Sequence, residues 1–265
     1  MSGPPCTLVS AYYRFRSKHG ADRYGEWIRN FLGTVETPLV MFCDADTEPL
    51  IREARGSLPM HLVQLPIAAW ETSAPRFEAY WERDIARDPE RAIHSTPLYK
   101  VWAEKAFFVQ RAIRANPFGT DWFVWVDAGC FRDPRPEVLA TLRQWPRAGA
   151  WGTLPADRIT MLLMYPFQPQ DYVLSRDSLL PREYAYTLEM RIGGTILAGS
   201  VAGWARWNVV WRGMLEAYMH AGYFTGKDQN LMATVATMFP DLVHLVPSSP
   251  ARRDPWFYFH ELFSG

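Results

Sequence analysis

Three polar segments, each directly after an apolar run, carry the side chains best suited to chemistry in this sequence. They are Tyr12-Tyr13-Arg14, Asp44-Ala45-Asp46 and Asp127-Ala128-Gly129. Ligands of open α/β sheets bind outside the carboxyl ends of the strands, where these segments would meet. Asp127 could there hold a divalent cation that neutralises a phosphate, and the small Ala128 and Gly129 would let a bulky ligand approach the backbone. The alternative is that Asp127 only caps its turn or the next helix.

Later in the chain, Asp228-Gln229 opens a predicted helix directly after Gly226-Lys227. A carboxylate at that place can accept the proton of a hydroxyl group, although Asp is also a good helix N-cap. Gly193-Gly194 would leave the backbone open to a ligand, and a strand bulge explains the same pair. The cations that could offset phosphate charge are Arg14, Lys18 and Lys227.

Hydrophobic patterning predicts the elements that would position these residues. Apolar runs predict strands near residues 6–12, 38–43, 61–65, 122–126, 159–165, 193–199 and 242–246. Helical spacing predicts helices near 24–33, 48–55, 98–115, 136–145, 204–221 and 227–239, and residues 71–96 read as helix with an irregular connection. Because strands and helices alternate, we predict an α/β, Rossmann-like fold with a central, mainly parallel mixed sheet and helices on both faces. No repeat or flexible linker interrupts the chain, which favours a single domain over residues 1–265.

Charge and composition argue against some classes of protein. Lys+Arg and Asp+Glu are each 28, so the formal net charge is zero, which argues against nucleic acid as a partner. A hydrophobic fraction of 48% supports a substantial core. We expect no signal peptide and no membrane span, because neither a basic and apolar leader nor a run of roughly 18–20 apolar residues is present. The odd number of cysteines, Cys6, Cys43 and Cys130, predicts reduced thiols in a cytoplasmic protein.

A series of short stretches runs in order along most of the chain. They are Thr7-Leu8-Val9-Ser10-Ala11-Tyr12-Tyr13, Lys18-His19, Tyr24 with Trp27, Asn30-Phe31-Leu32, Lys105-Ala106-Phe107-Phe108-Val109, Asn116-Pro117-Phe118-Gly119-Thr120, Trp125-Val126-Asp127-Ala128-Gly129, Gly193-Gly194 and Gly226-Lys227-Asp228-Gln229. Together they make the chain resemble the WlaTC/HtrL (YibB)-like bacterial family, which in turn is similar to GT-A type glycosyltransferases.

This resemblance implies a GT-A fold and the transfer of a hexosyl group from a nucleotide sugar, UDP-linked, to a hydroxyl group of a glycan acceptor. The implied donor-binding residues are Ala11, Tyr12, Tyr13, Arg14, Asp44, Lys105, Asp127, Ala128, Gly129, Gly193, Gly194 and Lys227. Lys105 resembles a donor-contacting lysine of glycogenin-like enzymes, and the alternative is an ordinary exposed helix lysine. The implied catalytic residues are Asp228 and Gln229, acting on the acceptor hydroxyl or the donor sugar.

The resemblance also implies a metal ion, Mn²⁺ or Mg²⁺, at Asp127, which matches the first acid of the GT-A Asp-x-Asp motif. Gly129 departs from that motif, because many GT-A enzymes have the second aspartate there. One carboxylate is a poor site for either cation, so the diphosphate or a remote ligand would have to complete it. His260 is the candidate remote ligand, with packing or capping in an aromatic tail as the alternative.

Two other functions fit the same sequence. Without the second acid, the chain could be a catalytically silent nucleotide- or carbohydrate-binding protein on a GT-A scaffold. Asp44 and Asp46 after an apolar strand resemble the nucleophile motif of haloacid-dehalogenase-like phosphatases. That motif continues with one more residue and then Thr or Val, and here Glu48 stands at that position. The phosphatase is therefore the weaker alternative.

Overall fold

The computed structural model describes residues 6–16, 18–184, 190–249 and 255–264. The strands in this part of the chain are β1 (Thr7–Ala11), β2 (Leu39–Cys43), β3 (Met60–Gln64), β4 (Trp122–Val126), β5 (Ile159–Leu163), β6 (Ile192–Ser200) and β7 (Val243–Pro247). The α-helices are α1 (Ala21–Thr34), α2 (Glu48–Arg55), α3 (Glu78–Arg87), α4 (Thr96–Ala115), α5 (Pro136–Thr141), α6 (Val201–His220), α7 (Asp228–Met238) and α8 (Tyr258–Leu262).

All seven strands form one sheet in the order β3-β2-β1-β4-β6-β5-β7. Strand β6 is antiparallel to both of its neighbours, whereas β1, β2, β3 and β4 are parallel to one another and β5 is parallel to β7. The carboxyl ends of six strands therefore lie at the same edge of the sheet. The predicted α/β fold with a mainly parallel mixed sheet is confirmed.

Each face of the sheet is covered by helices, because alternate strand residues point to opposite sides. In β1, Val9 joins a core that includes residues of α3, α4, α6 and α7. Leu8, its neighbour, joins a second core that includes residues of α1, α2 and α8. Burying a side chain of this size contributes roughly 1.5–3 kcal/mol, so each face adds substantially to stability. In the part of the chain that the structure describes, no helix combines the length and apolarity needed to cross a membrane.

Helix α4 and strand β4 are joined by a tight reversal. Asn116, with φ of 32°, caps the helix through its backbone N–H, and Gly119 follows with φ of 64°. Asn tolerates the left-handed conformation and Gly adopts it freely, which explains why these residues occupy the turn. Because β4 then runs back along α4, the amino-terminal half of the helix lies over the carboxyl end of β4. This arrangement brings Lys105 towards the residues that follow β4.

Two predicted helices have different boundaries in the structure. The helix predicted over residues 136–145 ends at Thr141, and Trp145 is held instead by tertiary contacts: its carbonyl accepts from Thr37 Oγ1, and its indole N–H donates to the Phe259 carbonyl. A proline also disfavours helical backbone at the residue before it, and Pro146 follows Trp145. Helix α6 begins before the predicted start, because the Ser200 hydroxyl caps its first backbone N–H groups.

Candidate functional site

A cleft opens at the sheet edge where β1 and β4 end, beneath the amino-terminal half of α4. Its lining residues are Ala11, Tyr12, Tyr13, Arg14, Phe15, His19, Tyr24, Leu98, Val101, Trp102, Lys105, Trp125, Asp127, Ala128, Gly129, Cys130, Arg132 and Thr195. Helix α4 contributes Leu98, Val101, Trp102 and Lys105, which share one face because residues three and four apart are neighbours on a helix. The structure thus brings together most of the first and third polar segments with Lys105.

The Lys105 ammonium lies at the base of this cleft, with only 4% of its side chain exposed. Its Nζ donates to the Gly194 carbonyl at 2.7 Å and lies 3.1 Å from Asp127 Oδ1 and 2.8 Å from Asp228 Oδ2. Burial opposes the charge of the ammonium, but the attraction of the two carboxylates outweighs it and raises the pKa of Lys105. Lys105 is therefore a buried, charged group rather than an exposed helix lysine.

The carboxylate of Asp127 is fixed by two donors. The Trp125 indole N–H donates to Asp127 Oδ1 at 2.7 Å, and Lys105 Nζ approaches both carboxylate oxygens. The Asp127 backbone N–H also donates to the Thr195 carbonyl, which ties the segment to β6. Because the Asp127 side chain binds Trp125 and Lys105, it does not serve as the simple turn cap considered above. It remains 29% exposed and faces the cleft.

Asp228, the first residue of α7, approaches Lys105 from the buried side. Its side chain is 4% exposed, and it is not among the residues that line the cleft. The ion pair with Lys105 lacks hydrogen-bond geometry at Asp228 Oδ2. Burial raises the pKa of Asp228 although Lys105 opposes this shift. In this arrangement Asp228 holds the ammonium in place, and its predicted role as a base towards an acceptor stays a prediction.

The Gly193-Gly194 pair makes room for other side chains of the protein. A Cβ atom at Gly194 would lie 3.1 Å from Asp228 Oδ2 and 3.4 Å from Gln229 Cγ. At Gly193 it would meet Leu162 at 3.1 Å. Gly194 therefore belongs to the site through its carbonyl group and through the space that it leaves for Asp228. Neither glycine is among the residues that line the open cleft.

Gly129 is also required by packing. A Cβ atom at this position would lie 2.9 Å from Tyr24 Cε1, closer than Cβ atoms approach carbon in proteins, and 3.4 Å from Trp27 Cε3. The Tyr24 and Trp27 rings make an edge contact with each other, with centroids 5.3 Å apart. A second aspartate in the Asp-x-Asp position therefore has no space without displacement of this aromatic pair.

His260 lies in an aromatic cluster beside the cleft wall. Its ring centroid is 4.5 Å from that of Phe131 and 5.6 Å from that of Phe257, and its Nε2 lies 3.5 Å from Cys130 Sγ. Burial lowers the pKa of His260 to about 4, so the ring is neutral at neutral pH. Within the described residues, no hydrogen bond or ion pair joins it to Asp127. The structure thus favours the packing alternative for His260.

The described residues do not fit a metal site held by the protein. No group of three or more His, Cys, Asp or Glu side chains among them is placed to hold a metal ion. Both carboxylates nearest the cleft, Asp127 and Asp228, are already paired with the Lys105 ammonium. Mn²⁺ and Mg²⁺ require several oxygen ligands, and a fixed positive charge at their centre opposes a further cation. We therefore derive no step through a metal ion.

The cations predicted to offset phosphate charge separate into two groups. Arg14 lines the cleft, whereas Lys227 is drawn to Glu90, with Nζ 3.3 Å from Oε2, and Lys18 is exposed outside the cleft lining. Arg132, which the sequence reasoning missed, joins Arg14 at the rim. Its Nε donates to the Gly129 carbonyl at 3.1 Å, and its guanidinium lies 4.5 Å from the Trp27 ring centroid.

Asp44 is not one of the residues that line the cleft. Its Oδ1 accepts hydrogen bonds from the Thr47 backbone N–H at 2.9 Å and from Thr47 Oγ1 at 2.7 Å, which stabilises the turn before α2. Asp46 is exposed. This arrangement assigns Asp44 to turn formation, and it offers no support for the phosphatase alternative.

The residues that sequence reasoning missed include Trp102, Tyr24 and Arg132, together with the role of Trp125. Trp102 lies one turn before Lys105 on the same helix, so helical spacing from Lys105 could have identified it. Arg132 follows the Asp127 segment closely in sequence, but only the fold shows that its side chain turns towards the cleft.

Comparisons with known proteins give a family and two similar folds. A family model described as "Bacterial protein of unknown function (HtrL_YibB)" matches residues 67–265. No curated protein matches the chain in sequence. A glycosyltransferase involved in the glycosylation of the major capsid of PBCV-1 is 11% identical over 96% of this chain and 88% of that chain, with a TM-score of 0.42. Core-mannan synthase A (CmsA/Ktr4) from Aspergillus fumigatus, in its Mn/GDP form, is 11% identical over 98% of this chain and 84% of that chain, with a TM-score of 0.49. At this level of identity, the likenesses assign neither substrates nor residue roles.

Proposed function

The chain belongs to the HtrL_YibB family of bacterial proteins, and from its site we propose that it is a glycosyltransferase that uses a nucleotide sugar. The observation that carries this proposal is the ion pair between the buried Lys105 ammonium and Asp127, at the base of an aromatic, cationic cleft on the carboxyl edge of the sheet. The reaction would transfer a hexosyl group, from a UDP-linked donor, to a hydroxyl group of a glycan.

The charges of the cleft suit the diphosphate of such a donor. Arg14, Lys105 and Arg132 line it, and Asp127 is the carboxylate among the lining residues. Each opposite-charge contact at about 4 Å gains roughly 4 kcal/mol at an intermediate dielectric constant, before the cost of desolvation. Arginine side chains also bind phosphate oxygens in a bidentate manner. An anionic ligand is therefore favoured over a neutral one.

The apolar part of the cleft suits the base and the sugar. Phe15, Trp102 and Tyr12 line it beside the charged residues. Aromatic faces pack against planar bases and against the apolar faces of pyranose rings. This combination of stacking surfaces and phosphate-binding cations favours a nucleotide sugar over inorganic phosphate or a simple sugar.

In the proposed transfer, the bond from C1 of the sugar to the diphosphate oxygen breaks and a bond from C1 to the acceptor oxygen forms. The bonding electron pair leaves with the nucleoside diphosphate, and the proton of the acceptor hydroxyl is taken up by the departing nucleoside diphosphate. The rim arginines Arg14 and Arg132 stabilise the charge that develops on the leaving group. We propose that Asp127 contacts donor hydroxyl groups and that Asp228 and Gln229 position this centre, with Asp228 acting through Lys105.

The experiment is a thermal-shift screen of UDP-, GDP- and CMP-sugars, followed by an assay for released nucleotide. A donor at 100 times its dissociation constant stabilises the folded state by about 2.7 kcal/mol, which a melting curve detects readily. We expect one nucleotide sugar to raise the melting temperature and to release its nucleotide when a glycan acceptor is added. Stabilisation without release under any acceptor supports the silent-binder alternative, and no stabilisation by any nucleotide sugar overturns the proposal.

A further inference from the structure

We infer that Lys105 occupies the position between Asp127 and Asp228 that a divalent cation would need, and that the rim arginines Arg14 and Arg132 supply the positive charge for the donor diphosphate, so that the protein binds it without Mn²⁺ or Mg²⁺. The inference rests on the proposed function for the identity of the ligand. The structural observations behind the inference do not depend on that function, because they show that Lys105 already compensates the charges of Asp127 and Asp228.

Oxygen atoms of the protein already surround the Lys105 ammonium. Three oxygens lie within hydrogen-bond or ion-pair distance of Nζ: the Gly194 carbonyl at 2.7 Å, Asp228 Oδ2 at 2.8 Å and Asp127 Oδ1 at 3.1 Å. The side chain is 4% exposed, so solvent hardly screens these contacts. A metal ion bound to either carboxylate would have to displace the ammonium or accept its repulsion.

The position that a second acid would occupy, at Gly129, is closed by packing. A side chain at Gly129 would run into Tyr24, whose ring is supported by Trp27 and by His19, with ring centroids 5.3 Å and 6.1 Å away. A residue as large as aspartate therefore requires the Tyr24 ring to move. The packing of α1 against the cleft therefore leaves no space for a second acid at this position.

The segment after Gly129 supplies a positive charge to the cleft through Arg132. Arg132 donates its Nε–H to the Gly129 carbonyl, and its guanidinium lies over the rings of Trp27, at 4.5 Å, and Phe257, at 5.2 Å. Contact with two aromatic faces restricts the motion of the guanidinium without neutralising it. Together with Arg14 it gives the diphosphate cationic partners that a metal ion would otherwise provide.

His260, the remaining candidate ligand, is held away from Asp127 by its aromatic neighbours. His260 packs against Phe131 and Phe257, and its Nε2 lies beside Cys130 Sγ. To bind a cation near Asp127, the ring would have to leave this cluster. The described residues thus provide one fixed ammonium and no open coordination shell.

The first test measures Mn²⁺ binding by electron paramagnetic resonance in the absence of nucleotide. We expect the wild-type protein to leave the free Mn²⁺ signal unchanged at millimolar metal. Lys105→Met leaves the Asp127 and Asp228 carboxylates without a cation between them, so this variant should bind Mn²⁺ and be stabilised by it. Lys100→Met is the matched control, because Lys100 lies on the same helix but pairs with Glu78 outside the cleft. Stoichiometric binding of Mn²⁺ by the wild-type protein overturns the inference.

The second test measures binding of UDP and of the UDP-sugar by titration calorimetry, in EDTA and in Mn²⁺. We expect the two dissociation constants to agree within about twofold, whereas a loss of about tenfold or more in EDTA contradicts the inference. If no nucleotide binds in either condition, the proposed function fails, and the Mn²⁺ measurement still decides the charge argument. If Lys105→Met does not fold, the double variant Lys105→Met/Asp228→Asn removes the buried unpaired charge, and the wild-type measurements remain decisive.

Discussion

Replacement of Gly129 by alanine tests the packing that excludes a second acid. The new Cβ atom would lie 2.9 Å from Tyr24 Cε1, 3.2 Å from Tyr24 Cδ1 and 3.4 Å from Trp27 Cε3. Trp27 is 4% exposed and has little room to move, so most of the adjustment falls on Tyr24. Overpacking of this kind typically costs 1–3 kcal/mol, and we expect Gly129→Ala to lower the free energy of unfolding by about 2 kcal/mol.

Gly149→Ala is the matched control, because a Cβ atom there meets nothing within 4 Å and its φ is not positive. We expect this control to change the free energy of unfolding by less than about 0.5 kcal/mol. Urea denaturation at pH 7 measures both variants, and Tyr24→Ala completes a double-mutant cycle with Gly129→Ala. Equal stabilities of the two glycine variants, or no coupling between Gly129→Ala and Tyr24→Ala, would refute the reasoning.

Two further predictions use pH. Burial lowers the pKa of His260 from its ordinary value of about 6.5 to about 4, so the unfolded chain binds this proton more tightly and the folded state loses up to about 3 kcal/mol as pH falls from 6.5 to 4. His260→Phe should lose less stability over that range in urea denaturation, and parallel wild-type and variant profiles would contradict the packing role. Burial raises the pKa of Glu104 from its ordinary value of about 4.5 to about 7, so the folded state binds this proton more tightly and loses up to about 3 kcal/mol as pH rises from 4.5 through 7. Glu104→Gln should flatten this decline in thermal melts at pH 5 and pH 8, and an unchanged slope would show that Glu104 is not its source.

The fold was largely predictable because its strands are short apolar runs and its helices show clear spacing. The run Trp122–Val126 leads directly to Asp127, and that adjacency alone placed Asp127 at a strand end. Helix boundaries were harder to predict. Trp145 lies outside the helix predicted for it because it is hydrogen-bonded to Thr37 and Phe259, more than a hundred residues away in sequence. Such contacts leave no local periodicity to detect.

The candidate site was predictable only in part. Motif resemblance identified Lys105 and Asp127 as donor-binding residues, Asp127 also as a metal ligand, and Asp228 as a catalytic residue, but it did not indicate that the three side chains contact one another, whereas the structure joins them in one ion-pair cluster. In the sequence, Gly129 in the place of an aspartate indicated only that a metal ligand was missing. Tyr24 fills the space beside Gly129 because α1 packs against the segment after β4. No local sequence pattern encodes that packing.

Titration calorimetry of two arginine variants measures whether the cleft binds a nucleotide sugar through its diphosphate. Arg132 lines the cleft, whereas Arg135 is exposed and pairs with Asp133 at 2.6 Å. We predict that Arg132→Met weakens binding of the nucleotide sugar about tenfold, or about 1.4 kcal/mol, while Arg135→Met changes it less than about twofold. Equal affinities of the two variants, or no binding of any nucleotide sugar to the wild-type protein, would contradict the account.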